Sequence, residues 1–142
     1  MDRKDPYAKF NFLIELGGED VGGFTEVGGL VAESDVLEYR EGSDPAQMRK
    51  LPALFKFSNI TLKRGYTQSR ALWDWRKTTL DGATERKDGA IIMLDEARQP
   101  VLRWEFFSGW ISKYEGPALN ATANEAAIES IEIAVENLQL AP

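Results

Sequence analysis

Two glycine pairs, Gly22-Gly23 and Gly28-Gly29, interrupt a part of the chain that otherwise alternates like β-strands. Residues 9–16 carry an apolar side chain at every second position, and residues 34–41 alternate as well. Glycine weakens a strand and usually marks a bulge, a bend or a close approach of two backbones. The first third of the chain is therefore predicted to form a sharply curved antiparallel sheet.

The composition excludes several classes of chemistry. The chain has 142 residues, the size of one domain with a sizeable core. It contains no Cys and no His, which excludes disulfides, thiolate nucleophiles and Ser-His-Asp triads. Its net charge of -6 disfavours non-specific binding to nucleic acid. No apolar run reaches the roughly 18 residues of a membrane span, and no signal peptide is evident, so we expect a cytoplasmic protein without membrane insertion.

Alternation predicts strands over much of the chain. These strands cover residues 7–16, 21–27, 34–41, 56–64, 90–95 and 100–114. In the last one, Gly109 is expected to form a bulge that shifts the alternation. An aromatic row in the same strand stacks sugars or bases in one interpretation and packs in the core in the commoner one: Trp104, Phe106 and Trp110. Periodicity alone fits residues 124–142 equally well to a helix and to a strand.

One segment has a convincing helical pattern. Thr67 or Ser69 is placed to cap its N-terminus, and Gly82 to end it in the left-handed conformation. Three residues spaced i, i+3 and i+7 share one face: Leu72, Trp75 and Thr79. The pattern favours an amphipathic helix that covers one open end of a barrel over a ligand box built from tryptophans.

Residues 42–52 break the strand pattern with two prolines and a glycine. We predict a loop of about ten residues, longer than the usual median of roughly 4–6, which is typical of a functional segment or of a solvated connection. The apolar side chains of Met48, Leu51 and Leu54 favour a loop that docks on another surface.

No motif indicates catalysis or a bound cofactor. Glu129, Glu132 and Glu136 are regularly spaced, and glycosidases need two carboxylates at a fixed separation. A solvated or lumenal strand face explains these glutamates more simply. The glycine pairs lack the patterns of phosphate-binding loops, and residues 81–89 lack the ligand spacing of a calcium loop. We therefore expect no catalytic, cofactor-binding or metal-binding residues.

The order of several short motifs resembles a known family. These motifs include DPYAKFNFLIEL, GGFTEVGGL, LEYREG, KLPALFKFSNITLKRG, LWDW, WISKYEGPALNA and NEAAIESIEIAVENLQL, which span residues 5–140. Each motif alone is weak, but their order and spacing together are similar to those of the tail tube (inner tube) proteins of contractile phage tails and phage-tail-like contractile injection systems. That family is related to the haemolysin-coregulated tube protein of type VI secretion.

The resemblance implies a mainly β fold with one flanking α-helix, in which two packed antiparallel sheets form a small barrel. It implies a single tail tube domain over residues 1–142 and assigns the C-terminal segment to a strand. Six copies would form a ring, and stacked rings a hollow tube that carries protein cargo or DNA and is driven by a contractile sheath. The implied partners are further copies of the chain, the sheath, baseplate and spike proteins, and tape-measure or terminator proteins.

The resemblance also implies an interface. Residues 42–54 match the region that relatives use to reach a neighbouring ring or subunit. The residues expected to make this contact are Gly42, Ser43, Asp44, Met48, Arg49, Lys50, Leu51 and Leu54. The particle would assemble in the cytoplasm of the producing cell, with lysis as a route of release.

Three alternatives differ in function. A baseplate adaptor that starts the tube and a secreted ring protein of a type VI system share the implied fold. A monomeric ligand-binding barrel, with a stacking surface at Trp104 and Trp110, belongs to a different class. Rings or tubes of the purified protein would support the tube subunit, whereas a monomer with a saturable sugar or lipid site would support the ligand-binding barrel.

Overall fold

A computed structural model describes residues 11–40, 42, 47–65, 69–117 and 127–142. All strand pairings in these ranges are antiparallel. The elements are β1 (Phe12–Leu16), β2 (Glu19–Phe24), β3 (Glu26–Gly28), β4 (Ala32–Tyr39), β5 (Arg49–Phe57), β6 (Ile60–Gly65), α1 (Ala71–Leu80), β7 (Lys87–Leu94), β8 (Pro100–Glu115), β9 (Ile128–Ala134) and β10 (Asn137–Leu140). The prediction of a mainly β chain with one helix and two antiparallel sheets is confirmed.

The larger sheet has eight strands and encloses the core. Seven of them run in the order β2-β1-β7-β8-β9-β6-β3, and β10 pairs with β8. β3 follows β2 after a break at Thr25 and pairs with β6 at the far end of the sheet, which curls the sheet onto itself. The buried residues on its inner face are Ile14, Leu16, Phe24, Ile60, Leu62, Ile91, Phe106, Ile111, Ile131 and Ile133, joined by Leu72 and Trp75 of the helix.

The predicted barrel is wrong for the described residues, because the curled sheet does not close. At one end of the open seam, the Thr25 N–H donates to the Lys63 carbonyl oxygen at 2.9 Å. Further along the seam, the Arg64 side chain reaches from β6 to β2, where its Nη1 donates to the Val21 carbonyl oxygen at 3.4 Å. A side chain therefore occupies a place where strand pairing would close a barrel.

The second sheet consists of β4 and β5 alone. The prediction of two packed sheets is wrong in this respect, because this small sheet is exposed on both faces. The predicted single strand over residues 56–64 is also wrong, since β5 ends at Phe57 and β6 begins at Ile60. The chain leaves the small sheet and enters the large one across Ser58 and Asn59.

The helix α1 lies against β8 and closes one side of the core. Its two buried residues, Leu72 and Trp75, lie on the predicted face. Gly82 follows the helix with a φ of +80°, the left-handed conformation expected of a C-terminal cap. The prediction of Ser69 as the N-terminal cap is wrong, because the N-cap residue is Arg70, which makes no side-chain capping hydrogen bond. The Ser69 hydroxyl oxygen accepts a hydrogen bond from the Ala71 N–H at 3.3 Å, and the other predicted cap, Thr67, lies outside the described residues.

A bulge in β8 changes which alternate side chains face the core, and it lies close to Gly109, where a bulge was predicted. Phe106 pairs with Gly89 and Gly109 with Lys87, so three steps along β8 oppose two along β7. Ser108 takes a φ of +56°. Phe106 is buried before the bulge and Ile111 after it, which turns Trp110 to the other face of the strand. The predicted aromatic row therefore does not form.

The C-terminal segment forms strands, as the resemblance implied. β9 pairs with β6 on one side and with the second half of β8 on the other. β10 continues along the first half of β8. The alternate residues Glu129, Ile131 and Ile133 of β9 are buried, so the strand period is correct and the helical period is wrong.

Candidate functional site

The hairpin formed by β4 and β5 is the most exposed regular element of the described chain. Apart from Asp35 and Phe57, every residue of its two strands is exposed. The strands pair from Ala32 opposite Phe57 to Tyr39 opposite Arg49, with one irregularity between Ser34 and Val36. An isolated two-stranded hairpin is at best marginally stable in water, so this ribbon needs a further surface to cover it.

Large apolar side chains are exposed on both faces of the hairpin, between charged side chains such as Glu38 and Lys50. Leu37 lies opposite Leu51 on one face, and Val36 opposite Pro52 on the other. Leu54 and Phe55 are each 70% exposed. The large apolar residues exposed along the hairpin are Val36, Leu37, Tyr39, Met48, Leu51, Leu54 and Phe55. Exposed apolar patches are typical of surfaces that bind another protein, a ligand or a membrane.

The structure brings most of the predicted interface residues onto this hairpin. Met48 directly precedes β5, and the three residues Arg49, Lys50 and Leu51 begin that strand. Leu54 follows in the same strand, and Gly42 lies in the exposed connection between the strands. Ser43 and Asp44 lie outside the described residues.

The predicted loop over residues 42–52 is wrong in its second half, because β5 begins at Arg49. Pro52 lies within that strand, opposite Val36. A proline is tolerated on an edge strand, because its missing N–H is not needed for pairing on the outer side. Both strands of the hairpin are edge strands in the described chain. The proline was therefore a misleading sign of a loop.

Sequence reasoning missed four of the seven large apolar residues that are exposed along the hairpin. Val36, Leu37 and Tyr39 were assigned to an ordinary strand, and Phe55 was assigned neither to a strand nor to the candidate interface. The available signal was the alternation itself, since a strand that is half solvated has one polar face. Residues 36 and 37 are both apolar, and so are residues 54 and 55, which leaves the hairpin with no polar face at these positions.

Charged groups hold the base of the hairpin. The Lys56 ammonium lies 2.8 Å from an Asp35 carboxylate oxygen. Hydrogen bonding to this carboxylate, together with its charge, raises the pKa of Lys56 above its usual value. Further along the hairpin, Glu38 lies opposite Lys50. Opposite charges at facing positions favour this register over a shifted one.

A second cluster is buried at the seam of the large sheet. Arg64 and Glu129 are 4% and 2% exposed, and the Arg64 Nε donates to a Glu129 carboxylate oxygen at 2.8 Å. The Tyr114 hydroxyl donates to the other oxygen of the same carboxylate. The guanidinium also lies over the Phe24 ring, 5.0 Å from its centroid. This cluster ties β6, β9, β8 and β2 together inside the core.

The three glutamates considered for catalysis have separate cationic partners. Glu129 pairs with Arg64, Glu132 lies 3.9 Å from Lys113, and Glu136 lies 3.1 Å from Arg86. The structure therefore places them in three different ion pairs. Among the described residues, no cluster of acidic side chains is suited to hold a metal ion. No helix in the described ranges has the length and apolar character needed to cross a membrane.

The comparisons with known proteins agree on one kind of protein. The family model of the T4-like virus tail tube protein gp19 matches residues 8–139. A search of the curated proteins found no match.

Solved structures of similar fold come from contractile systems. One is the cap of the anti-feeding prophage, described as the AFP tube terminating cap. It has 28% identity and a TM-score of 0.79, over 93% of this chain and 88% of that chain. A PVC sheath-tube complex of an extracellular contractile injection system has 23% identity and a TM-score of 0.79, over 99% of both chains. Hcp1 from Flavobacterium johnsoniae shares the fold at 17% identity and a TM-score of 0.57, over 92% of this chain and 94% of that chain.

Proposed function

The chain belongs to the T4-like virus tail tube protein family, and we propose that six copies of it form a ring and that rings stack into a hollow tube. The chain is thus a structural tube subunit of a contractile injection system or contractile tail. The observation that carries the proposal is the hairpin of β4 and β5, which exposes apolar side chains on both faces.

The hairpin is proposed as the contact to a neighbouring subunit or ring. A ribbon that is apolar on both sides is covered most fully when it is inserted between other protein surfaces, because each face then loses contact with water. The proposed contact residues are Gly42, Ser43, Asp44, Met48, Arg49, Lys50, Leu51 and Leu54, to which the structure adds Val36, Leu37 and Phe55. We expect each subunit to bury about 2,000 Å² or more in its contacts, as in other obligate assemblies.

The proposed mechanism is mechanical. Contraction of a surrounding sheath drives the tube through a target envelope, and the lumen carries protein cargo or DNA. The matched structures include a sheath-tube complex, a terminator and a baseplate, which supports sheath, terminator and baseplate proteins as partners. Spike and tape-measure proteins are further proposed partners. Assembly is proposed to take place in the cytoplasm of the producing cell, without membrane insertion of the subunit and without a catalytic or cofactor-dependent step.

Replacing Leu51 by Asp tests the proposed contact. Leu51 is 42% exposed in the free subunit, so we expect Leu51→Asp to fold normally. In a tube, the new carboxylate would be buried without a partner, which is strongly unfavourable. We therefore expect negative-stain electron microscopy and light scattering to show loss of long tubes, with an unchanged thermal unfolding transition of the free subunit.

The matched control is Leu80→Asp. Leu80 is 57% exposed and lies at the end of α1, away from the hairpin in sequence. We expect this variant to form tubes of normal length. Long tubes of Leu51→Asp would show that the hairpin is not the contact that extends the tube.

A position at one end of the tube is the second candidate. Two of the matched structures are described as a tube terminating cap and a sheath/tube terminator, at 28% and 25% identity. We expect a main tube subunit to add many rings when it is seeded by a baseplate, and a terminator or a baseplate adaptor to form a single layer. Tube length in co-expression with sheath and spike proteins distinguishes these positions.

A further inference from the structure

The second glycine pair lies where the hairpin joins the core, and its role is set by a backbone contact. Gly29 has a φ of +82°, a conformation that residues other than glycine rarely adopt. A Cβ atom at this position would lie 2.0 Å from the Asn59 carbonyl oxygen and 3.3 Å from the Ile60 Cα. The strand that enters the hairpin and the strand that leaves it therefore cross in backbone contact, and no methyl group fits between them.

Both sides of this crossing are anchored. On the core side, Val27 and Leu30 pack against the core cluster, and Ile60 is fully buried. On the hairpin side, the Val31 N–H donates to the Gly29 carbonyl oxygen at 2.8 Å, and the Ser58 N–H to the Val31 carbonyl oxygen at 3.2 Å. The regular pairing of the hairpin begins at the next residues, with Ala32 opposite Phe57. The crossing thus fixes how the hairpin joins the core, because the chain is held in place on both sides of it.

We propose that Gly29 is a positioning residue for tube assembly, which sets the direction in which the hairpin leaves the core. This inference rests on the proposed function, because the direction matters only if the hairpin must meet a second copy of the chain. A side chain at residue 29 moves Asn59 away, because the obstructing atom belongs to the backbone and cannot rotate aside. The hairpin then points elsewhere while the core cluster keeps its own contacts.

The test compares alanine at two adjacent glycines. Gly29→Ala introduces the clash, whereas Gly28→Ala is a matched control with no neighbouring atom within 4 Å and no positive φ. The chain has no Cys, so Lys50→Cys in the hairpin and Ala97→Cys in the exposed turn before β8 accept a pair of nitroxide labels. Double electron–electron resonance spectroscopy on labelled subunits, diluted in excess unlabelled protein, measures the distance between the hairpin and the core.

We expect Gly29→Ala to shift the distance distribution and to lose long tubes in the unlabelled protein. Gly28→Ala is expected to keep both the wild-type distance and the wild-type tubes. An unchanged distance or tubes of normal length in Gly29→Ala would overturn the proposal. Normal tubes of Leu51→Asp would instead overturn the proposed contact of the hairpin. The spin-label distance in Gly29→Ala tests only the direction of the hairpin, so the two failures can be told apart.

A second variant covers the case in which Gly29→Ala does not fold. Val31→Gly combined with Ser58→Gly removes two exposed side chains beside the crossing and adds backbone freedom without a clash. We expect the thermal transition of the core to remain, the distance distribution to broaden and tube elongation to fall. A distribution as narrow as that of the wild type, with full-length tubes, would overturn the proposal whatever the outcome for Gly29→Ala.

Discussion

Burying a guanidinium costs several kcal/mol unless a counter-charge and further hydrogen bonds compensate for the loss of water. Arg64 is compensated by the Glu129 carboxylate, the Val21 carbonyl oxygen and the Phe24 ring, while its Nη2 has no partner among the described residues. The Tyr114 hydroxyl completes the set by donating to Glu129. The cluster takes the place of strand pairing at the seam, so its loss is expected to open β2 from β6.

Glu129→Gln is predicted to destabilise the subunit by about 3–5 kcal/mol, because Arg64 then carries a buried charge without a counter-charge. The double variant Arg64→Met with Glu129→Leu is expected to cost less than either single removal, since apolar groups of similar size replace both charges. Urea unfolding of the free subunits measures these free energies.

The surface pair of Arg86 and Glu136 provides the control. Its atoms lie 3.1 Å apart, but both side chains are more than half exposed. Removing this pair is expected to change the free energy of unfolding by no more than about 1 kcal/mol. Equal losses for the buried and the exposed pair would contradict the role given to Arg64.

Single residues were predicted unevenly, and burial explains why. Glu129 was assigned with Glu132 and Glu136 to a solvated or lumenal strand face. This is wrong for Glu129, because it is 2% exposed and lies on the buried face with Ile131 and Ile133. Arg64 was assigned only to the predicted strand over residues 56–64. Nothing in the local sequence indicates that two charges far apart in the chain meet in a core. Their pairing depends on the β6–β9 register, which places Arg64 opposite Glu129.

Among the elements, the helix was predicted most fully, because its signals are local. Its apolar spacing and the terminal Gly82 each depend on a few neighbouring residues. The hairpin was harder, since Pro52 lies within an edge strand and not in a loop. The break at Ser58 reflects the crossing of two strands at Gly29 and Asn59. The second glycine pair correctly indicated a close backbone approach, at Gly29, but the sequence does not say which segment approaches.

Gly82→Ala is predicted to destabilise the subunit by about 1 kcal/mol, because a left-handed conformation is unfavourable for any residue with a Cβ atom. There is open space around Gly82, so backbone strain accounts for the whole effect. Thermal or urea unfolding measures it. Gly65→Ala is the control, since Gly65 also has open space but no positive φ. A similar loss at both positions would argue against strain as the cause.

At the scale of the whole molecule, one curled sheet holds the buried core, and one small sheet carries the proposed contact surface. The buried residues Ile60, Leu62, Ile131 and Ile133 belong to β6 and β9, at most 1% exposed. The hairpin has almost no buried residue. The sequence correctly predicted the β-rich class and the helix. The open seam was not predicted, because closure depends on how far β2 lies from β6 in space.

Hydrogen exchange is predicted to separate these two parts. In the free subunit, amides of β4 and β5 are expected to exchange fastest and those of β6 and β9 slowest, because protection follows burial and contact density. In assembled tubes, the hairpin amides are expected to become strongly protected. Mass spectrometry of peptides from both states measures this change, and equal protection of the hairpin in both states would contradict its role as a contact.

The hairpin also has a consequence for the order of events during synthesis. β4 and β5 are neighbours in the chain, and a hairpin forms on the order of 1–10 μs. β6 must wait for β9, since Ile60 pairs with Ile133, and long-range pairing is slow. In a nascent chain, the exposed apolar hairpin is thus formed before the core to which it is attached. Premature association therefore competes with folding, and the fraction of chains lost to it should fall when elongation is faster, because the hairpin is then exposed without the core for a shorter time.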